Sequence, residues 1–356
     1  VLDGWCRHSR HRIDRLTLPP HHWKWRLRHG AWTLARACSE RPPPQALWTT
    51  DLLDLASWRG LLPSAWAQVP VVLYFHENQL TYPDPRRSER DLHFAFTNLL
   101  AAGAADVVWW NSTYHRDDCL AAARSWLGRM PDHRPDDLLR RIAVRSVVRH
   151  PGIAAPESAG PLAVAPVQLA WIARFEADKD PEALVGAIDR LLATPGLPDW
   201  QLSLLGGDAA QAPSALQQLA ERLGPRLRQF GYVADAAVYR RLVAELDLVC
   251  STARHEFFGL AVMEAVAAGA RPILPRRVVY PELYAECPGI TWYGDADELA
   301  PALARTIRAT AASAGTAADG GRAERRHWAE SFHWCQRVVD WDDGLAQIAA
   351  TGRMGP

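Results

Sequence analysis

The sequence predicts an α/β protein of two domains, each a parallel sheet flanked by helices. Three observations predict it. The chain has 356 residues, against roughly 100–200 per domain. Apolar runs of strand length alternate with helical patterns through its middle and C-terminal parts. The alternation pauses once, in a Pro- and Ala-rich stretch from Ala154 to Pro166, and then restarts. The expected divisions are therefore 1–153, 154–330 and a C-terminal helical segment, 331–356.

In chain order, Val69–Phe75 reads as a buried strand, Leu92–Ala105 as a helix and Asp106–Trp110 as the next strand. Ser112 can cap the helix that follows. Ala143–Val148 reads as a strand ending in His150-Pro151-Gly152. Beyond the linker, strands are expected at Val167–Ala173, Gln201–Leu205, Leu227–Phe230, Leu246–Ser251 and Arg271–Leu274, with helices between them. Asp180-Pro181-Glu182 is a helix start: a capping Asp, a Pro in the first turn and an acid at the positive dipole end. Ala309–Gly321 reads as an exposed low-complexity loop, and Trp328–Ile348 as a helix with a Trp-rich face. There is no internal repeat.

Composition narrows the function classes. Forty Lys+Arg balance forty Asp+Glu, so no bulk polyanion-binding surface is evident. No apolar run approaches the roughly 18–20 residues that span a bilayer, and the start, Val1 to Arg7, has no signal-peptide apolar core. Cys6, Cys38, Cys119, Cys250, Cys287 and Cys335 lie far apart without a C-x-x-C pair, which reads as buried thiols in a reducing, cytoplasmic compartment. Lys24 and Lys179 are the only lysines, so arginine richness by itself says little about nucleic acids.

Ligands of parallel sheets bind at the carboxyl ends of strands, and the polar residues cluster there. After Leu246–Ser251 comes His255-Glu256-Phe257-Phe258-Gly259-Leu260, continuing to Glu264. Phe258, Ala261, Val262, Ala265 and Val266 form a core stripe at helical spacing, leaving Glu264 toward ligand or solvent. Gly259 would let a phosphate approach bare N–H groups where the dipole favours negative charge. Eight helical residues would put the two carboxylate-bearing positions up to about 12 Å apart, more suited to gripping a long ligand than to an acid/base pair facing one bond. A sugar nucleotide fits: sugar at Glu256, diphosphate at the helix start, ribose at Glu264. The alternative is an amphipathic helix with two solvated acids.

Arg174 and Lys179 follow another strand end and can neutralise a departing diphosphate, or form a surface pair. Gly206-Gly207 permits close backbone approach or simply turns the chain. Gly231-Tyr232-Val233 could present backbone to a base edge. In the first half, His76, Glu77, Asn78 and Gln79 leave a buried strand at its carboxyl end. His76 could bond a sugar hydroxyl or the reacting phosphate, or serve as a cap. Asn111-Ser112 reads first as a helix cap.

Together these residues resemble glycosyltransferase family 4, of the GT-B fold: two Rossmann-like domains facing a cleft, with a C-terminal helix returning to the first. His255–Glu264 is similar to that family's E-x7-E motif, and Arg174 and Lys179 to its basic pair. A narrower resemblance, to the tRNA-queuosine α-mannosyltransferases, rests on Phe75–Pro83, Glu89-Arg90-Asp91, Trp110-Asn111-Ser112, Val279-Tyr280-Pro281-Glu282 and His22–Arg26. It implies a nucleotide-sugar-binding C-terminal domain and retaining transfer of mannose from GDP-mannose to queuosine in the anticodon of tRNA-Asp. The catalytic set would be Glu256, His76, Arg174 and Lys179. Donor contacts would add Gly206, Gly207, Tyr232, Val233, His255, Phe258, Gly259, Leu260 and Glu264. The acceptor would meet His76, Glu77, Asn78, Gln79, Trp23, Lys24 and Arg26. No metal, cofactor or membrane partner is expected, so Asp178-Lys179-Asp180 and Asp295-Ala296-Asp297 read as a cap and a loop. The departing phosphate oxygen would take the acceptor's proton. The family opens with a strand and a Gly-rich Ser-His loop ahead of the part beginning here at Val1; a wrongly assigned start or a clipped sequence is the first expectation, and only a real loss would leave the first sheet without its central strand and put acceptor binding and activity in doubt.

From Val1 to Arg36 there are eight Lys/Arg against two acids, with five histidines and Trp23, Trp25 and Trp32 interleaved. Such a segment can contact phosphates and stack unpaired bases; it is also what a Trp-anchored amphipathic helix looks like.

Overall fold

The computed structural model describes residues 1–82, 92–156, 165–313 and 321–351. Pro83, Glu89-Arg90-Asp91, most of the expected linker and residues 314–320 of the expected loop lie outside them. The chain forms two compact units, Val1–Gly152 with Cys335–Pro356, and Ile153–Trp334.

The first unit holds a parallel sheet in the order β1 (Leu47–Thr50), β2 (Val71–Phe75), β3 (Val107–Trp110), β4 (Ser146–Val148). β2 and β3 are buried at every position, which is why they read as unbroken apolar runs. Ser112 caps the helix Thr113–Leu127 by accepting from His115 N–H. β4 is shorter than the sequence suggests. Asp136–Val144 is a helix, with two acids in its first turn and Leu139 and Ile142 buried on one face; its β-branched end imitates a strand start. β1 is an edge among the described strands, and it borders a cavity of about 690 Å3 whose walls include Ile13, Leu16, Leu18 and Trp48.

The C-terminal helix Trp334–Thr351 belongs to this unit from Cys335 onward. The expected single helix Trp328–Ile348 is broken: Glu330–Phe332 tightens to a 3-10 turn and His333 is extended, because Ile153 pairs its backbone with Phe332 and Trp334. Trp341 is fully buried, with ring centroids 5.0 Å from Trp5, 5.0 Å from Tyr74 and 5.5 Å from Trp109. Beside it, buried Asp342 accepts from Trp5 Nε1 at 2.8 Å, Ser9 Oγ at 2.7 Å and Arg10 N–H at 2.8 Å. Trp341→Ala would empty the centre of this cluster, and urea titration should show a loss of about 3–5 kcal/mol.

The second unit carries six parallel strands in the order β10-β9-β8-β5-β6-β7: β5 (Val167–Ile172), β6 (Trp200–Leu205), β7 (Leu227–Gly231), β8 (Leu248–Cys250), β9 (Arg271–Pro275) and β10 (Thr291–Tyr293). Asp180 caps the helix Pro181–Leu192, accepting from Ala183 N–H with Pro181 in the first turn. Leu184, Ala187, Ile188 and Leu191 bury one face of that helix on the sheet, the 3.6-residue period at work. Strand order reverses between β5 and β8, and it is at the carboxyl edge beside such a reversal that ligands of parallel sheets bind. Four cysteines, Cys38, Cys119, Cys250 and Cys287, are buried, Cys6 is half-buried and Cys335 is exposed; all are free thiols. Among the described residues no helix is long and apolar enough to cross a membrane.

Candidate functional site

The loops leaving β5 and β8, on either side of the reversal, are laced together. Trp171 Nε1 on β5 donates to Thr252 Oγ1 at 3.0 Å, and that hydroxyl donates to Lys179 O at 2.5 Å. Arg254 N–H donates to Asp178 O at 2.9 Å. Arg277, after β9, donates to the carbonyls of Ala253 (3.0 Å) and Thr252 (2.9 Å). The hydroxyls of Tyr280 and Tyr293 meet Ser251 Oγ and Ser251 O at 2.7 and 2.6 Å. These bonds satisfy the polar groups of a buried loop and hold it rigid.

Lys179 sits within this lacing, 9% exposed. Its Nζ donates to His255 O at 2.8 Å and pairs with Glu256 Oε2 at 3.2 Å and Asp178 Oδ2 at 3.1 Å. Glu256 turns its other oxygen to Phe257 N–H (3.1 Å) and Phe258 N–H (3.4 Å). Arg174 is half exposed, 3.1 Å from Glu176 and 4.0 Å from Asp178. Arg254 reaches Asp180 at 2.6 Å with most of its side chain in solvent. Cations and carboxylates thus converge from two loops on one strand edge.

The helix after Glu256 begins only at Leu260, with Gly259 at φ 78° as its first cap and no side chain satisfying the first-turn amides. The helical spacing expected between Glu256 and Glu264 therefore fails over its first half: Glu256 lies on a loop whose turning amides its own carboxylate binds. Phe258 is buried, Leu260 is partly exposed, and the His255 ring packs edge-on to Phe257 at 4.4 Å. Glu264 accepts from the Tyr239 hydroxyl at 3.2 Å; desolvation raises its pKa and that bond partly opposes the rise.

Gly206 and Gly207 have a reason of their own. A Cβ at 206 would stand 2.6 Å from Ala173 O, and one at 207 would stand 2.5 Å from the Phe175 ring. Phe175 in turn stacks on Trp171 and Phe230. The glycines let the β6 exit close over the β5 exit. Tyr232 and Val233 leave β7, Tyr232 being 69% exposed.

The first unit holds the other cluster. His76 follows β2, and Asp51, 1% exposed, follows β1. Asp51 Oδ1 accepts from His76 Nδ1 at 2.5 Å and from His76 N–H at 3.2 Å. Asn98 donates to Asp51 O at 2.8 Å and accepts from Gln79 N–H at 3.0 Å. Asn78 is fully buried and closes the turn by accepting from Leu80 and Thr81 N–H, while Gln79 Nε2 reaches Glu77 at 3.3 Å. Asn111 donates to His76 O at 3.1 Å and accepts at Oδ1 from His115, which adds a loop contact to the expected capping position. His76 keeps an open face, its side chain 40% exposed.

Burial lowers the His76 pKa, but the Asp51 carboxylate, with Glu77 behind it, overrides this and lifts it to about 9. The ring is therefore cationic at neutral pH. A pKa raised on folding stabilises fully below the free value near 6.5 and loses that contribution as pH rises through about 9. Asp51→Asn should return the His76 ring titration, followed by NMR, to 6.5 or below; an unchanged midpoint would discard Asp51 as the cause.

Trp23 packs on Phe94 at 5.3 Å with Lys24 Nζ 5.6 Å from its ring, and Arg26 turns back to Pro19 O. Asp51, Asn98, Thr252, Arg254 and Arg277 were not singled out by the sequence. Asp51 follows a four-residue strand too short to stand out, and Asn98 sits beside Thr97 in a largely apolar helix.

Comparison with known proteins gives the following. The family profile described as tRNA-queuosine alpha-mannosyltransferase N-terminal matches residues 1–153, and that described as Glycosyl transferases group 1 matches residues 166–309. The chain is 31% identical over 279 residues to the Drosophila melanogaster tRNA-queuosine alpha-mannosyltransferase, across 75% of this chain and 73% of that one. Among solved structures it is similar to the sucrose-phosphate synthase of Thermosynechococcus elongatus (TM-score 0.66, 18% identity, 94% of this chain and 81% of that one). It is also similar to Anabaena Alr3699/HepE in complex with UDP (TM-score 0.61, 19% identity, 90% and 82%). At such identities the likeness concerns the fold, which is the two-sheet GT-B class.

Proposed function

This chain belongs to the tRNA-queuosine α-mannosyltransferase family, and we propose that within it the enzyme moves mannose from GDP-mannose to queuosine in the anticodon of tRNA-Asp, with retention. The observation that carries this reading is Lys179, set by β5 yet bonded to the backbone and carboxylate of the loop after β8. It is a cation preorganised beside the strand-order reversal, where ligands of parallel sheets bind.

In the proposed reaction the diphosphate lies over the amino end of helix Leu260–Ala267. There the uncapped amides and dipole meet it from one side and Lys179 and Arg174 from the other. Preorganised positive charge stabilises the leaving diphosphate as the bond from mannose C1 breaks. Glu256 takes the sugar hydroxyls and Glu264 the ribose. The queuosine hydroxyl attacks C1 on the face the phosphate leaves, and its proton passes to the departing phosphate oxygen, so no side chain acts as base. On the first unit, the cationic His76 offers a hydrogen bond to the acceptor. The positive charge supplied by these side chains is the reason for proposing no metal or cofactor, and a tRNA substrate is the reason for proposing the cytoplasm.

The test is incubation of the protein with GDP-mannose and queuosine-containing tRNA, followed by nucleoside mass spectrometry, with calorimetry against a panel of nucleotides. Mannosyl-queuosine and GDP-selective binding are expected. Binding of a different nucleotide sugar with none of GDP-mannose would overturn the donor; transfer to another acceptor, with no tRNA binding at low salt, would overturn the acceptor.

A further inference from the structure

We infer that the outer face of helix Trp23–Ser39 is an RNA-docking surface that receives unpaired bases and phosphates of the tRNA through Trp25, Arg28, Trp32 and Arg36. This rests on the tRNA reading above and deepens it. Of the sixteen tryptophans in the chain, the ones that stand out in solvent are Trp23, Trp25 and Trp32, and all three are on this helix. Trp23 is the least exposed, at 36%, and is packed on Phe94, whereas Trp25 is 65% and Trp32 58% exposed. A large aromatic left in water costs free energy unless something covers it in use.

The spacing suits nucleic acid. Positions 25 and 32 lie two turns apart on one face, about 10 Å along the axis. Arg28 lies between them and Arg36 one turn beyond. The His29 ring lies 5.1 Å from that of Trp25. The helix contains no Asp or Glu, in a chain whose charges otherwise balance. Aromatic platforms alternating with cations on an acid-free face match the alternation of bases and phosphates in a single-stranded loop. An acid-free cationic face also complements a polyanion far better than it would a second copy of itself.

The helix is mechanically linked to the acceptor-side cluster. Trp23 packs on Phe94 with the rings tilted at 57°, and the Arg28 guanidinium lies 5.1 Å over the same ring. Phe94 begins the helix His93–Ala104, whose Asn98 holds Asp51 and Gln79 beside His76. RNA docked on this face is therefore coupled through one rigid helix to the loop that meets the base.

The experiment measures binding of queuosine-containing tRNA to the full chain at several salt concentrations, for the wild type, a Trp25→Ala/Trp32→Ala double variant and an Arg28→Ala/Arg36→Ala double variant. The tryptophan variant should lose at least about tenfold in affinity while binding nucleotide and melting as the wild type does. The arginine variant should flatten the salt dependence by up to about two phosphate contacts. Both should modify free queuosine nucleoside as the wild type does, which separates docking from chemistry. Unchanged tRNA affinity and salt slope in both variants would overturn the surface while leaving the activity standing. A wild-type dimer lost in the tryptophan variant with tRNA binding intact would assign the face to self-association and equally overturn the proposal. Absence of tRNA binding by the wild type would bring down this proposal and the acceptor assignment together.

Discussion

Glu256→Ala is expected to cut mannosyl transfer by about 100-fold or more while leaving the chain folded. The carboxylate touches both Lys179 and two loop amides, so the substitution removes a charge at the proposed sugar site and a local cap. The cap accounts for about 1 kcal/mol of stability, small enough for circular dichroism to show an intact fold. Glu256→Gln divides the two roles. Its amide oxygen can still accept from Phe257 and Phe258, so stability should stay near that of the wild type. Its lost charge should leave transfer rates close to those of the alanine variant. A glutamine variant with full activity would show that Glu256 shapes the loop and does not act on the sugar.

Lys179→Ala should weaken GDP binding by calorimetry about tenfold or more, since hydrogen bonds to charged groups contribute about 1.5–3 kcal/mol. It should also destabilise the second unit by up to about 3 kcal/mol, because Asp178 and Glu256 are then left without their cation in a largely buried place. Lys179→Arg is not a conservative rescue. Three oxygens surround Nζ at 2.8–3.2 Å, a geometry made for a compact ammonium and too small for a planar guanidinium. Retained GDP affinity in the alanine variant would move the diphosphate away from this loop and undo the donor-site reading.

Much of this was legible in the amino-acid order, and particular residues show why. Val71–Phe75, Val107–Trp110 and Val167–Ile172 are buried on both faces, so hydrophobicity alone marks them. Asp180-Pro181 and Ser112 mark helix starts because capping is a local interaction. The same locality set the limits. Trp328 to Ile348 has a helical pattern throughout, yet the α-helix breaks over Glu330–His333 because Ile153, far away in sequence, claims its backbone.

The order of residues determined the α/β class, the strands that carry the sheets and the polar residues that leave them, because burial and capping act over a few neighbours. The tertiary structure alone decided that Lys179 binds Glu256 across 77 positions, that Asp51 charges His76, and that Trp25 and Trp32 face water while Trp23 lies on Phe94. Those outcomes depend on which loops a strand order brings together. A hydrogen bond or a desolvated charge depends on distance in space, which periodicity along the chain does not encode.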